Sequence, residues 1–388
     1  MPRKAPNGFG SIRKKVVGGR TYYEGRYTDP LLHRQRSVSA TTEAECRRKL
    51  KEIQAKITTG GYVTPRKKRL ADWMNEWLNT RENLEDSTRE LYARNIRLYI
   101  IPALGGIQLQ DLRHSHCQDF VHRLGHDPYR GKPLSTCTVQ NIIHVLSKAL
   151  EDAVRAELIM TNPASKLELP RLQKAPPKVM ESAEQDAFLR EIEHSPYRGI
   201  FIFGLNTGMR ISEILGLQWS NVNLRTGEIR VDKQLTRKNN DETERELKGT
   251  KTHKARTIIV PPFVIDVLKA VQRQQIEWRL RAGTAWQNAD GLVFTREDGS
   301  SMPHNTVTQA FKRIVKRIGR PDLTFHSLRH TFITDEIRSG TDVKTVSESA
   351  GHSSITTTMD IYAAATNEMK TAAAKRRQAE YERRIRNA

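Results

Sequence analysis

The sequence predicts an α+β fold that is mainly helical, with three parts separated by two basic linkers. Three observations lead there. Short β-prone runs alternating with turn signals are concentrated in residues 8–40. Apolar residues at helical spacing run through most of the remaining chain. Two stretches rich in proline, glycine and basic residues, 60–69 and 162–178, interrupt that spacing. The expected division is a small three-stranded sheet with one helix and a basic linker over 1–67, a helical bundle over 68–161, a linker over 162–178, and a mixed, mostly helical domain with a small β-sheet over 179–388. A chain of 388 residues is long enough for two or three such cores.

Taken in order, Val16-Val17, Gly18-Gly19 and Tyr22-Tyr23 with Tyr27 read as a hairpin, and 34–39 as a third strand. Thr42 and Glu45 form a capping-box pattern before a helix over 44–57. Helices are expected over 70–78, with Trp73 and Trp77 four apart, and over 87–101, 112–124 and 135–156. Pro102 and the Gly105-Gly106 pair should break the second of these, and a polar loop over 125–133 precedes the fourth. In the last part, Ser182 and Gln185 fit the N-cap and N3 of a helix reaching 192. Residues 200–205 are a buried apolar run, strand or helix, and 210–217 is helical. Strands are expected at 227–231 and 256–260, with at most a short one at 292–294. Helices should occupy 261–278, 305–318, 327–338 and 342–349, and 367–385 should form a long charged tail helix.

Lys and Arg number 65 against 44 Asp and Glu, a net charge of +21, so the expected partner is an acidic polymer. Residues 1–67 hold 16 Lys or Arg against 5 Asp or Glu, +11, over half of the surplus. Their cations Arg3, Lys4, Arg13, Lys14, Lys15, Arg20, Arg26, Arg34 and Arg36, with Lys67, Lys68 and Arg69 in the linker, are the candidate phosphate contacts. A small basic sheet can lie in a DNA major groove, although composition equally allows a protein-interaction module. Cys46, Cys117 and Cys137 are scattered and odd in number, which fits a reduced intracellular protein better than a disulfide framework. No apolar run approaches the roughly 20 residues of a membrane span, and no apolar signal region opens the chain. A cytoplasmic, DNA-associated protein without membrane contact is expected.

Three blocks carry chemistry. Residues 326–362, HSLRHTFITDEIRSGTDVKTVSESAGHSSITTTMDIY, place His326, Arg329, His352 and Tyr362 in one stretch, opening on an amphipathic helix. A guanidinium binds non-bridging phosphate oxygens, imidazoles move protons, and a phenol can attack phosphorus. Residues 206–219, NTGMRISEILGLQW, set Arg210 and Glu213 three apart on one helix, where the carboxylate can brace the guanidinium. Residues 247–262, LKGTKTHKARTIIVPP, form a basic turn running into an apolar strand. His326 and His330 have the spacing of a helical zinc site, but Ser327 stands where a metalloprotease needs glutamate and no third ligand is evident, so no metal is expected. No phosphate-binding glycine-rich loop occurs either.

Together the three blocks resemble those of the tyrosine recombinase (phage integrase) family. Their order behind a basic N-terminal part resembles the three-domain integrases of temperate phages and conjugative transposons. The resemblance implies an arm-type DNA-binding domain over 1–67, a SAM-like core-binding domain over 68–161 and a catalytic domain over 179–388. It implies a catalytic set of Arg210, Lys251, His326, Arg329, His352 and Tyr362, with Glu213 in support. Lys251 is the match for the family's hairpin lysine, and Lys248 and Lys254 are close enough to compete. In this reading Tyr362 forms a 3′-phosphotyrosine and frees a 5′ hydroxyl, which conserves bond energy and needs neither metal nor other cofactor. The two arginines hold the phosphate, His326 is the base or proton relay, and His352 hydrogen-bonds a phosphate oxygen. Gly351 would let backbone and DNA approach closely. The implied partners are duplex DNA with arm-type and core-type sites, three further protomers in a homotetramer that passes through a Holliday junction, an excisionase and a host DNA-bending protein. Residues 363–388 would dock on a neighbouring protomer or remain a solvated helix. Two other readings stand beside this one: a type IB topoisomerase-like nicking and rejoining enzyme, and a non-catalytic DNA-binding regulator of the same fold.

Overall fold

The computed structural model describes residues 11–17, 20–30, 34–58, 68–126, 133–172, 175–237, 245–249, 255–352 and 354–386. The chain divides into two units, Met1–Gln173 and Lys174–Ala388, and the fold is α+β and mainly helical.

The first unit opens with an antiparallel sheet in the order β1 (Ile12–Val17), β2 (Arg20–Asp29) and β3 (Arg34–Ala40), followed by α1 (Glu43–Thr58). Side chains alternate across a strand, so Gly25, Tyr27 and Asp29 of β2 share the face that α1 covers. Gly25 is small for that reason, since a Cβ there would sit 3.2 Å from Cys46 Sγ and 3.4 Å from Leu50 Cδ1. Of the expected capping box, the Glu45 N–H donates to Thr42 Oγ1 at 3.3 Å.

The helical part of this unit comprises α2 (Leu70–Asn79), α3 (Asp86–Asn95), α4 (Ile101–Leu104), α5 (His114–His126) and α6 (Thr136–Arg155). Its apolar core joins Trp73, Trp77, Phe120 and Leu146 among others. The indole N–H groups are satisfied as burial requires: Trp73 Nε1 donates to Ala149 O at 2.9 Å and Trp77 Nε1 to Asp152 Oδ2 at 2.7 Å. Pro102 does not break the second helix as expected. A π-helical turn over Ile96–Ile100 links α3 to α4, and the widened turn accommodates a residue that lacks an N–H and crowds the carbonyl four positions back. The stretch expected as an extended linker lies in its first half on the bundle. Ala164 is buried in the bundle's core, Gln118 and Glu168 exchange hydrogen bonds at 3.1 and 3.0 Å, and Gln140 Nε2 donates to Pro170 O at 2.9 Å.

The second unit contains α7 (Ser182–Glu191), α8 (Arg198–Thr207), α9 (Ile211–Leu215), β4 (Glu228–Val231), β5 (Lys233–Arg237), β6 (Arg245–Gly249), β7 (Arg256–Ile259), α10 (Pro262–Ala282), α11 (His304–Arg317), α12 (Phe325–Arg338), α13 (Val343–Ala350) and α14 (Ile355–Arg386). The strands pair antiparallel as β4 with β7 and β5 with β6. The apolar run 200–205 is the middle of α8, and a helix buried at every one of those positions shows no polar face for a period to reveal. α12 likewise is buried on most sides rather than amphipathic, with Leu328, Arg329, Thr331 and Ile333 all inside. The α7 cap falls one residue before the expected Ser182: Glu181 and Glu184 form the box, while Gln185 turns to Met180 O and Asp335 Oδ2. Residues 292–294 stay irregular, held by the buried Gln275 amide, which donates to Leu292 O and Val293 O. α14 starts twelve residues before the expected tail helix and includes Tyr362. Among the described residues no helix is long and apolar enough to cross a membrane.

Candidate active site

α8 ends at Gly208, whose φ of +59° and contact with the Phe332 ring both exclude a side chain. The reversal brings Arg210 to the N-cap of α9. Glu213, at N3, accepts the Arg210 backbone N–H at 2.9 Å and Arg210 Nη1 at 2.9 Å. A second guanidinium closes on the same carboxylate: Arg256, the first residue of β7, donates through Nη2 to Oε2 at 2.7 Å and through Nη1 to Oε1 at 3.2 Å. Glu213 is 2% exposed. Burial opposes its ionisation, but the Arg256 hydrogen bonds and charge, with Arg210 behind them, hold the carboxyl below its ordinary range.

The C-terminal end of α13 organises the rest. A helix leaves its last carbonyls unpaired and partially negative, and here three consecutive ones each take a different arginine. Ser349 O accepts Arg256 Nε at 2.9 Å, Ala350 O accepts Arg329 Nη1 at 2.5 Å, and Gly351 O accepts Arg210 Nη2 at 2.9 Å. Gly351 has a φ of +69°, and a Cβ on it would lie 2.6 Å from Arg256 Nη1. The glycine caps the helix and makes room for a guanidinium.

Arg329 reaches the site from inside α12. It is 2% exposed, and its Nη1 also donates to Gly208 O at 2.7 Å. Its Nη2 is buried with no hydrogen-bond partner among the described residues. Burial, then the neighbouring Arg210 charge, lowers its pKa to about 9. Two guanidiniums therefore bond one carboxylate, a third lies beside them on backbone carbonyls, and its buried Nη2 has no hydrogen-bond partner among the described residues. Such a site is short of an anion.

Two histidines lie within the field of these cations. His326, in the first turn of α12, is pushed down to about 4 by burial and then by His330, Arg329 and Arg210. His352, just past α13, is pushed down to about 3 by burial and then by Arg329, Arg210 and His326. Both are neutral at pH 7. His330 is lowered as well, by burial and Arg329, and its ring stands perpendicular to that of His326 at 4.7 Å. Among the described residues no cluster could hold a metal ion.

His352 also ties the site to α14. Its Nδ1 lies 2.7 Å from the hydroxyl of Thr358, which is fully buried in that helix. Ile361, immediately before Tyr362, packs with Ile333, Ile337, Val346 and Ala350. The backbone that carries Tyr362 is thereby fixed against α12 and α13, while its side chain lies outside the described residues, as do most of 363–376. Lys251 and Lys254 also lie outside them. Lys248 is described, in β6, half exposed and 2.7 Å from Glu246.

Of the candidate DNA-contacting cations, Arg3, Lys4 and Lys67, and the side chains of Arg20 and Arg34, are outside the described set. Strand alternation puts Arg13, Lys15 and Arg26 on the sheet face away from α1, together with Glu24. Lys15 and Arg26 approach Glu24 at 2.9 and 3.5 Å, and the Lys15 hydrogen bond lowers its pKa. Lys14 and Arg36 are on the α1 face, where Arg36 pairs at 3.0 Å with the fully buried Asp29. Lys68 is engaged with Glu76 and sits 5.4 Å over the Trp73 ring, and Arg69 is exposed.

Sequence reasoning missed Arg256, Thr358 and the α13 carbonyls. For Arg256 one signal existed: Glu213 stands in a mostly apolar helix, and a buried carboxylate needs more cation than one neighbour supplies.

Residues 178–369 match the Phage integrase family, and residues 69–125 match Phage integrase, N-terminal SAM-like domain. The tyrosine recombinase XerC-like protein of Caldanaerobacter subterraneus subsp. tengcongensis is 28% identical over 371 residues, covering 89% of this chain and 93% of that one. In fold the chain is similar to the Tn1549 transposon integrase in complex with transposon right end DNA, at a TM-score of 0.66 and 23% identity, over 79% of this chain and 99% of that one. It is also similar to a lambda integrase tetramer bound to a Holliday junction, at a TM-score of 0.59 and 16% identity, over 93% and 96%. One match contains the whole arginine and histidine site and the other covers α2 to α5; the chain belongs to the phage integrase family, the tyrosine recombinases.

Proposed function

We propose that this chain is a site-specific DNA recombinase that integrates and excises a mobile element through a 3′-phosphotyrosine intermediate, with Tyr362 as nucleophile. One observation supports this above the others: two arginines share a single carboxylate, a third beside them, Arg329, bonds only backbone carbonyls, and its buried Nη2 has no partner among the described residues. A phosphodiester supplies the charge and the oxygens that arrangement lacks.

With the scissile phosphate seated on Arg210 and Arg329, the Tyr362 oxygen attacks phosphorus. The new bond is tyrosine oxygen to phosphorus, and the bond that breaks joins phosphorus to the 5′ oxygen. The phenol has an ordinary pKa of about 10, so its proton must leave as attack proceeds. His326 takes it. A neutral imidazole can accept a proton, and the arriving phosphodiester charge raises its affinity for one. Lys251, or Lys248 or Lys254 on the same basic segment, delivers a proton to the departing 5′ oxygen. His352, oriented by Thr358, donates to a phosphate oxygen. Rejoining by a 5′ hydroxyl from a second duplex reverses each step, and the number of phosphodiester-type bonds is unchanged throughout. The reaction therefore requires neither ATP nor metal.

Residues 1–67 then serve arm-type sites, and 68–161 with 179–388 hold the core site. Arg13, Lys15 and Arg26 on the open sheet face are the arm contacts best placed for a groove. Four protomers on two duplexes, assembled as in the lambda tetramer, exchange strands in pairs, with residues 363–388 docking between neighbours. An excisionase and a host DNA-bending protein set direction, and the protein works on chromosomal DNA in the cytoplasm.

The test is strand exchange. Wild type and Tyr362→Phe are incubated without metal with two duplexes that carry the element's own core site, and with a supercoiled plasmid bearing the same site. Junctions and recombinant products from wild type alone support the proposal. Relaxation without junctions points to a topoisomerase, and tight binding with neither product points to a regulator.

A further inference from the structure

The geometry points to Arg256 as a positioning residue for strand cleavage, one that sets Arg210 and Arg329 in register by bracing Glu213 and the end of α13 at once. The inference rests on the reading above that this site holds the scissile phosphate.

Arg256 does not resemble the phosphate-binding pair in its surroundings. Nε, Nη1 and Nη2 are each committed, to Ser349 O, Glu213 Oε1 and Glu213 Oε2. Its side chain is 12% exposed against 28% for Arg210, and the backbone of Gly351 lies against the guanidinium. Arg329, by contrast, keeps a buried fork without a partner among the described residues. The backbone of Arg256 is fixed independently of the two other arginines. It opens β7 and is paired in register with Val231 of β4.

Its two sets of contacts have separate consequences. On Glu213 it occupies both oxygens, so Arg210 makes one side-chain bond to that carboxylate through Nη1 and sends Nη2 to Gly351 O. Without Arg256, the carboxylate would draw Arg210 into a two-pronged pair, a geometry that guanidinium and carboxylate favour strongly. The fork that should meet phosphate would then turn inward. On α13 it holds the first of three consecutive carbonyls whose other two anchor Arg329 and Arg210. Losing that anchor loosens the common frame of both phosphate-binding arginines. Groups that orient a ligating side chain from behind typically govern its performance by 10- to 100-fold.

The experiment compares wild type, Arg256→Met and Arg256→Lys in single-turnover cleavage of a nicked core-site duplex, beside equilibrium binding of the same duplex and thermal melting. A second duplex carries an uncharged methylphosphonate at the scissile position, which removes the charge that Arg210 and Arg329 would neutralise. We expect Arg256→Met to form the covalent adduct about 100-fold more slowly, with core-site affinity within about threefold of wild type. Arg256→Lys can reach Glu213 or Ser349 O but not both, so it should melt near wild type and still cleave at least about tenfold more slowly. On the methylphosphonate duplex both deficits should shrink to a few-fold, because a misplaced arginine matters less when there is no charge to meet. Wild-type cleavage by Arg256→Met overturns the inference. So does an equal deficit on both duplexes that tracks the loss of melting temperature, which marks a structural brace alone. If Arg256→Met does not fold, the lysine variant carries the same comparison. Absence of adduct from wild type itself sinks the phosphotyrosine reading and this inference with it.

Discussion

Replacing Glu213 with glutamine changes one atom and removes the sole carboxylate among three guanidiniums in the described site. Glu213 accepts four hydrogen bonds, two from Arg210 and two from Arg256, at 2.7–3.2 Å, and is 2% exposed. A glutamine keeps one acceptor oxygen and turns an NH2 toward donors, so part of that set is left unpaired around uncompensated cations. Breaking a buried pair in this way costs about 3 kcal/mol or more, which lowers Tm by roughly 6–12 °C for a unit of this size. The pH dependence carries its own sign. The folded pKa lies below the ordinary 4.5, so the carboxylate's stabilisation is complete above that value and is lost as pH falls through the folded one. Melting curves of wild type and Glu213→Gln should therefore differ widely at pH 7 and converge on acidification. A variant that melts within about 1 °C of wild type at pH 7 refutes the reasoning, as does a gap that stays constant into acid.

Four further outcomes follow from the site and from the N-terminal sheet. Gly351→Ala places a side chain at a φ of +69° and against the Arg256 guanidinium, and should cost about 1–2 kcal/mol in urea unfolding while cutting strand cleavage by more than tenfold. Normal cleavage by that variant would show that the α13 end does not set the arginines. Arg36→Met removes the ion pair to the buried Asp29 and should destabilise the N-terminal sheet by about 1.5–3 kcal/mol. Arg13→Ala should leave stability unchanged and lower the salt dependence of arm-site binding by about one unit of slope; identical behaviour of the two variants would contradict the assignment of faces. Finally, His326 and His352 have folded pKa values of about 4 and about 3, well below 6.5. The unfolded chain takes up protons there first, so the stability these neutral rings provide is complete above about pH 6.5 and falls as pH drops toward 4. Urea unfolding at pH 7.5 and 5 measures it, and the drop should be smaller in His352→Asn; a flat profile would contradict the lowering of these pKa values by the rings' surroundings and the Arg329 and Arg210 charges.

What could be read from the sequence divides along physical lines. Element type was legible in α6, where one wet face imposes a helical period of apolar and polar positions, and in the N-terminal sheet, where β-prone runs alternate with turn signals. It was ambiguous in α8, which is apolar at every position from 200 to 205, and the burial that stabilises the helix erases its period. The hairpin of β5 and β6 escaped because its strands, KQLTR and RELKG, are short and polar. Pro102 gave a correct local signal that a π-helical turn overrode. At the site, Arg210 and Glu213 could be paired from spacing alone, since three residues on a helix are neighbours. Arg256 could not, because its bond to Glu213 spans 43 residues and depends on β7 pairing with β4. The three carbonyls at the end of α13 are backbone, and no residue identity announces them beyond Gly351 itself.

The most direct measurement concerns the phenol. Wild type is trapped on a nicked core-site duplex without metal, the adduct is digested with protease and nuclease, and the peptide that retains a nucleotide is sequenced by mass spectrometry. The proposed chemistry predicts a single modified peptide with the 3′-nucleotide on Tyr362, missing from Tyr362→Phe. A nucleotide on any other residue, or no modified peptide despite confirmed binding to that duplex, would contradict it.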